Sequence, residues 1–437
     1  MSLHGLRARF VRGVGWNLVA TFFTQGSTLA LNLVLANLWG LKAFGQFAII
    51  QSTITVLTSG AQAIVATTAT RYAAELRARD PGRAGRVLGL CAGLAAALAA
   101  VASLGLLLGA PLIATNILHD PALSGALRVV GLVVLFTIIS SVLAGALAGL
   151  EGYPSLGKAG VLTGTSYVVL AAAGGWRWGL IGAVLGLAGS AGIQFIALAV
   201  ALRREALAHG VRITQTGAWQ ELAVLRRFVA PSAVNSLIAF PAIWLANAFL
   251  VRHADGYQQM ALFAAANSMR VLVLFVPAIV NNVALSVLNN QRGADQEGRY
   301  RRVFWVNMAA TSGMVAAGAL FLIGAGPWLL AAFGRDFSAA YPVLLVLMLS
   351  TLPETVVGSA IQIAQSRERM WLWCAVVIVP CYGTLVGLAY VLTARFGARG
   401  LAWSYTGAMG VAVIAAAVVV QRLGIWGDLV VEGQRNE

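Results

Sequence analysis

Twelve stretches of roughly 20 apolar residues, each long enough to cross a bilayer as a helix, alternate along the chain with short polar gaps. They fall near 15–38, 45–66, 87–108, 127–147, 159–173, 179–201, 228–250, 260–282, 303–323, 342–363, 371–392 and 401–420. Inside several of them polar residues recur at helical spacing, since positions three, four, seven and eleven apart share a helix face. The first span carries Asn17, Thr21, Thr24, Thr28 and Asn32 on one face, and the second carries Gln51, Thr55, Thr58 and Gln62. The seventh aligns Ser232, Ser236, Phe240 and Asn247, with Asn235 to one side. The eighth aligns Asn267, Arg270, Ala278 and Asn281, and the tenth Ser350, Glu354, Gly358 and Gln365. By contrast the third, sixth and twelfth spans read as almost wholly apolar. The pattern predicts an all-α integral membrane protein of twelve transmembrane helices.

Charge adds the orientation. Of the 30 Lys and Arg residues, 22 lie in the N-terminus, the even-numbered gaps and the C-terminus, seven in the odd-numbered gaps or, for Arg128, at the edge of one, and Arg270 deep inside a span. Basic residues stay on the cytoplasmic side during insertion, so both termini are expected in the cytoplasm. The net charge of +15 therefore reads as topological anchoring rather than nucleic-acid binding, because it follows the gaps instead of forming one patch. Hydrophobic residues make up 59% of the chain and charged ones 10%, against about 25% charge in soluble proteins. The basic start (Arg7, Arg9, Arg12) followed by an apolar run mimics a signal peptide, but the run is too long, which predicts an uncleaved first helix.

Candidate enzyme chemistry is missing. The longest cytoplasmic gap, 202–227, and the longest external one, 324–341, are too short for a catalytic domain, and no phosphate-binding Gly-Lys-Ser/Thr loop, paired carboxylates or nucleophile elbow occurs. Cys91, Cys374 and Cys381 lie within spans, so no disulfide framework is implied. No span holds a His/Cys/carboxylate cluster, so neither a metal site nor a cofactor is expected. Gly145-xxx-Gly149 and Gly182-xxx-Gly186 read as close helix packing.

The chain reads as a duplication. Gly179-Leu180, Gly186 and Gly189 of the sixth span recur at one constant offset as Gly400-Leu401, Gly407 and Gly410 of the twelfth, and Arg86-Val87 recurs as Arg302-Val303. Gly145 similarly matches Gly358. Two six-helix bundles of the same orientation follow, 1–205 and 228–422, joined by a cytoplasmic linker over 206–227 and ending in a cytoplasmic tail, 423–437. Trp219, Leu222, Leu225, Arg226 and Arg227 suit a short interfacial helix in that linker. Interior prolines (Pro241, Pro277, Pro353, Pro380) lie only in the second half, which predicts more helix bending there.

Spans 1, 2, 7 and 8 hold equivalent places in the two halves, and their polar stripes have no reason to face lipid. They either line a shared cavity or hydrogen-bond neighbouring helices as packing glue. Arg270 falls mid-membrane, where an arginine costs at least about 2.5–3.5 kcal/mol. It pairs with Glu354, the only buried carboxylate, or binds an anion, for which a guanidinium offers a bidentate fork. The cavity reading makes Arg270, Asn267, Asn281, Asn17, Thr21, Thr24, Thr28, Gln51, Thr55, Gln62, Ser236 and Asn247 substrate-binding candidates. Arg12, Arg71 and Arg227 are topology anchors or an electrostatic funnel at the cytoplasmic mouth. Glu354 is the candidate for coupling transport to protons.

Several loops carry motifs of a known family. Leu38-Trp39-Gly40 through Phe44-Gly45, Gly60 and Arg71-Tyr72-Ala73-Ala74-Glu75 resemble the first hairpin of the Wzx-type oligosaccharide flippases, the polysaccharide-export branch of the multidrug/oligosaccharidyl-lipid/polysaccharide (MOP) superfamily. Leu150-Glu151-Gly152-Tyr153 is similar to that family's fourth-helix exit, and Gly256-Tyr257 with Ala264-Ala265-Ala266 to its eighth-helix entry. Phe333-Gly334-Arg335-Asp336-Phe337 and Phe396-Gly397-Ala398-Arg399-Gly400-Leu401-Ala402 resemble its external loops. One departure is Asn281-Asn282-Val283-Ala284-Leu285-Ser286, where the family pattern has a proline after the asparagines.

The resemblance implies a V-shaped, MATE-like pair of six-helix bundles in the bacterial inner membrane. It implies a flippase that carries a polyprenyl-diphosphate-linked oligosaccharide, a repeat unit of O-antigen, capsule or exopolysaccharide, to the outer leaflet by alternating access. Its partners would be that lipid-linked glycan, the bilayer and polysaccharide polymerase machinery. The alternatives are a MATE-like drug/cation antiporter, which would want more intramembrane carboxylates, and a lipid-linked glycan polymerase or ligase, which would want a larger external loop.

Overall fold

The structure, a computed structural model, describes residues 3–221, 230–289, 297–367 and 369–422, and for 3–22, 220, 230–233, 276, 282–289, 297 and 299–301 it describes the backbone alone. Among the described residues nine helices are long and apolar enough to cross a membrane. They are α1 (Leu3–Leu76), α2 (Pro81–Leu112), α3 (Leu123–Gly149), α4 (Tyr153–Ala208), α5 (Ala230–Val251), α6 (Gly256–Asn289), α7 (Glu297–Ala331), α8 (Tyr341–Ser366) and α9 (Met370–Arg422).

Three of the nine are broken. An unbroken helix of 74 residues such as α1 would be ~110 Å long, yet α1 loses helical geometry at Gly40 (φ 70, ψ −169). The same happens in α4 at Trp178 and Gly179 (φ 61, ψ −145) and in α9 at Gly397 (φ 55, ψ −131). Each break sits in or at the edge of a gap the hydropathy pattern places between spans, and each uses a positive φ that glycine adopts without steric cost. In α4 and α9 the chain doubles back. A Cβ on Gly182 would lie 2.0 Å from the Gly174 carbonyl oxygen, one on Gly186 2.2 Å from that of Leu170, and one on Gly400 2.0 Å from that of Leu392. Residues on the two sides of each break therefore approach as antiparallel neighbours, at a closeness only glycine permits. By backbone conformation the counterpart of Gly179 is Gly397, not the Gly400 that the sequence repeat aligns with it.

Other boundaries follow local chemistry. Asp80 caps α2, its carboxylate accepting from the Arg83 amide at 2.8 Å, and Pro81 follows in the first turn, where its missing N–H costs nothing. The external gap expected over 324–341 is mostly helical: α7 runs through Pro327 to Ala331, and a 3-10 turn, Arg335–Ala340, leads into α8. Pro111 likewise lies inside α2, next to a π-turn at Ile113–Ile117, so interior prolines are not confined to the second half.

The chain forms two compact units, Met1–Phe240 and Pro241–Glu437, whose boundary falls inside α5 at Pro241. In the first unit α1 packs on α3 and α4, and α2 on α3. Gly145 and Gly149 of α3 let the backbone of α1 approach at Ala66 and Thr70. In the second unit α6, α7 and α9 all pack on α8. The described part of the expected linker lies in the first unit as a strap along α2. Cβ atoms on Gly85 and Gly89 would sit 1.9 and 2.0 Å from the carbonyl oxygens of Arg212 and Thr214. At the strap's end Glu221 is buried and accepts from Arg83 Nε at 3.1 Å, with Arg86 at 3.7 Å. Of the linker's helical candidates, Trp219 lies in a 3-10 turn, Ala218–Glu221, while Leu222, Leu225, Arg226 and Arg227 lie outside the described residues, as does the tail 423–437.

Candidate functional site

A guanidinium sits in the interior of the second unit. Arg270 lies near the midpoint of α6, and its side chain is 11% exposed. Three groups from three positions hold it. Nη1 donates to Oε2 of Glu354, near the midpoint of α8. Nε donates to Oδ1 of Asn267, one turn earlier on α6, at 2.9 Å. The guanidinium carbon lies 5.4 Å from the centroid of the Tyr405 ring on α9. Glu354 is the more open partner, its side chain 32% exposed. A charge-assisted bond, an amide oxygen and an aromatic face together offset the cost of bringing the cation into an apolar unit.

Of the two readings of Arg270, pairing with Glu354 is the arrangement the structure shows. It also adds a residue that sequence patterning missed. The twelfth span read as apolar, yet Tyr405 is buried there against Phe263, with ring centroids 5.6 Å apart, and offers its face to Arg270. A tyrosine in an apolar run looks like core or interface from sequence, and only the packing of α9 on α6 makes it a cation partner.

Asn281 is not part of this group. It shares a stripe with Arg270, but three turns along α6 is ~16 Å. There its Oδ1 accepts from Asn307 Nδ2 on α7 at 2.8 Å and from Ser359 Oγ on α8 at 3.4 Å. That is a helix-bridging polar cluster of the kind expected of packing glue. Ser350 is likewise buried and bonded to its own helix, at the Leu347 carbonyl.

The first unit gathers part of its stripes at one tyrosine. Gln51 Nε2 donates to the Tyr167 hydroxyl at 3.1 Å, and Thr28 is a second partner of that hydroxyl. This joins both sides of the α1 break to α4, and Tyr167 too was not picked out in sequence. Thr28, Thr55 and Thr58 also bond carbonyls of their own helices, as helical threonines do. Thr24 and Thr55 are exposed in this unit and Gln62 and Ser236 half-buried, while Asn247, in the second unit, is buried. Arg71 is exposed and stands over the Tyr72 ring at 6.0 Å. The side chains of Arg12, Asn17 and Thr21, and all of Arg227, lie outside the described residues.

Two loop motifs meet in the first unit. Arg77, just beyond Arg71-Tyr72-Ala73-Ala74-Glu75, pairs with Glu151 and donates to the Gly149 carbonyl at 3.3 Å. Glu151 takes a positive φ of 63° at the end of α3. The exits of α1 and α3 are thereby clamped together.

No protein-family model matches the chain. It is 26% identical over 431 residues, 96% of its length, to the EPS I polysaccharide export inner membrane protein EpsE of Ralstonia nicotianae (strain ATCC BAA-1114 / GMI1000), covering 88% of that protein. Among solved structures it superposes on an inward-facing multidrug resistance MATE family transporter of the MOP superfamily. The TM-score is 0.74 at 16% identity, over 94% of this chain and 98% of that one. It also superposes on the lipid II flippase MurJ in an inward closed conformation, with TM-score 0.71 at 13% identity, over 92% and 87%. The chain thus has the all-helical fold of the MOP superfamily transporters and resembles an exopolysaccharide export protein in sequence, as its loop motifs implied.

Proposed function

We propose that this chain is a transporter of the bacterial inner membrane that moves a polyprenyl-diphosphate-linked oligosaccharide, a repeat unit of an exported polysaccharide, from the inner to the outer leaflet. The observation that carries the reading is Arg270, a guanidinium held in the interior of a membrane-spanning unit by a partly open carboxylate. A diphosphate offers that guanidinium the same bidentate oxygens as Glu354 does, so the anionic headgroup exchanges with the carboxylate as it passes. Asn267 and Tyr405 keep the guanidinium oriented while the partner changes. The resemblance to EpsE supports a polysaccharide-related cargo, and the MOP fold supports transport rather than glycan polymerisation or ligation. Among the described residues the connections between helices are short, which favours transport over catalysis.

In this reading the chain crosses the bilayer twelve times with both termini cytoplasmic, the breaks at Gly40, Gly179 and Gly397 each dividing one long helix into two crossings. Outward movement of two negative charges is favoured by an inside-negative potential, by about 2.3 kcal/mol per charge per 100 mV. The exported unit then passes to polysaccharide polymerase machinery on the outer face.

The experiment is complementation. In a strain lacking its own flippase, the chain should restore surface polysaccharide and clear the lipid-linked repeat units that accumulate. Restored resistance to cationic drugs with no polysaccharide would instead establish the drug/cation antiporter that the MATE-like fold also accommodates.

A further inference from the structure

One end of the second unit holds a cavity that the Arg270 site does not use. It has a volume of 660 Å³ and is built where the turn after α5, the start of α6, the 3-10 turn before α8 and the break in α9 converge. That volume falls within the range typical of small-ligand sites, about 300–1,000 Å³. Its floor is apolar, formed by the buried side chains of Leu250, Leu262 and Val343. Its rim carries His253, Asp255, Arg395 and Arg399, with Phe396 58% exposed beside them. Measured along α6 and α8, the cavity stands about three helical turns, ~16 Å, from Arg270 and Glu354.

The arginine-bearing turn is fixed in place. Gln259 of α6 reaches across and accepts a hydrogen bond from the Ala398 amide at 3.0 Å. Gly397 takes φ 55, a conformation that favours glycine, and a Cβ there would lie 2.7 Å from the Gln259 side-chain oxygen. Arg395 and Arg399 flank this pinned turn, and neither they nor Asp255 enters an ion pair among the described residues. Their position also runs against the charge pattern of the chain. The 393–400 gap falls on the external side, where basic residues are disfavoured, and it is the one external gap with two. The other external gaps carry at most one each. Topology does not account for the second arginine here.

We propose that this cavity is an external binding site for an anionic saccharide, a short sugar segment bearing a carboxylate or phosphate. The two guanidiniums take the anionic oxygens, Asp255 and the Gln259 side chain suit sugar hydroxyls, and Phe396 offers its ring to the apolar face of a pyranose. That the ligand is a saccharide rests on the export reading; that it is an anion rests on the cavity alone.

The test is direct binding to the purified full chain in nanodiscs of zwitterionic lipid, by calorimetry. The probes are a tetrasaccharide containing glucuronate, neutral maltotetraose, and inorganic pyrophosphate. Saturable binding of the acidic tetrasaccharide is expected, with maltotetraose weaker by at least about tenfold, the loss of one to two charged hydrogen bonds. Arg395→Gln/Arg399→Gln should weaken the acidic probe by a similar factor, whereas Arg177→Gln, at an exposed arginine of the first unit, should leave it unchanged. Pyrophosphate binding more tightly than the tetrasaccharide at the same arginines would assign the anion to a phosphate rather than a sugar acid. Equal binding of the neutral probe, binding indifferent to the double substitution, or no binding of either anion would overturn the proposal. Both substitutions are at exposed positions, and a thermal melt checks that the variant folds. Export is scored separately by complementation, so loss of the export reading and loss of this site give different results.

Discussion

Arg270 on α6 and Glu354 on α8 form an ion pair near the midpoints of both helices, and the two partners are unequally covered, at 11% and 32% side-chain exposure. The asymmetry matters. The guanidinium is fixed from two further sides by Asn267 and Tyr405, whereas the carboxylate is the member with open surface. In the proposed transport cycle an incoming anion competes with Glu354 for a cation already in position, and Glu354 is the group that leaves.

Arg270→Ala should abolish export while the protein still inserts, because the anion's partner is lost. Arg270→Lys should keep part of the activity, since the charge survives without the fork. Complementation in a flippase-deficient strain, with membrane levels checked by immunoblot, reads both. Full complementation by the alanine variant would remove Arg270 from the transport path.

Tyr405 acts through Arg270, so its ring should matter more than its hydroxyl. A cation–π contact of this kind contributes about 0.5–2 kcal/mol. Tyr405→Phe should retain export and melting temperature, and Tyr405→Leu should lower both. Equal loss in the two variants would assign the role to the hydroxyl.

The strap on α2 gives a prediction that does not depend on cargo. Gly89→Val places atoms where the Thr214 carbonyl now lies, so the strap must lift. The variant should melt at lower temperature and be cut faster by protease within 211–221. Gly93→Ala is the control, because its Cβ would meet only the Gln215 side chain at 3.8 Å. Glu221→Ala should loosen the same segment by leaving Arg83 and Arg86 without their shared carboxylate.

How far the sequence reached differs between fold and site. Helix positions were legible because bilayer thickness imposes one length on every apolar run, and because charge marks the gaps. The breaks at Gly40, Gly179 and Gly397 coincide with gaps seen as hydropathy dips. The stripe containing Arg270 was legible from helical period alone, and Glu354 was its only buried acidic candidate. What period could not supply was which stripe meets which. Asn281 shares a face with Arg270 yet bonds Asn307 and Ser359, since a straight face three turns long meets different neighbours at each level. Tyr167 and Tyr405 were missed for a related reason: an aromatic ring in an apolar run carries no periodic signal, and its role is set by the helix opposite. The cavity at the end of the second unit was invisible for the same cause, its lining drawn in part from three gaps far apart in the chain.

The final prediction concerns energy coupling. In the proposed cycle Glu354 leaves Arg270 when an anion arrives, and as an ionisable group inside a membrane-spanning helix it is the candidate for carrying the coupling proton. One proton would then be carried for each exchange, linking transport to a pH gradient, while the charge of the cargo links it to the potential. Purified protein in proteoliposomes separates the two, with a pH gradient and a potential imposed in turn. Glu354→Gln should lose the response to the pH gradient and keep the response to the potential. It also leaves Arg270 without its anionic partner, a change that costs about 3 kcal/mol for a buried pair and less for one this open, so a lower melting temperature is expected alongside. A variant that keeps both responses would make Glu354 structural. If instead Glu354→Gln loses all transport, and Arg270→Ala/Glu354→Gln is no worse than either single change, the two residues act as one unit and the proton is not carried by Glu354.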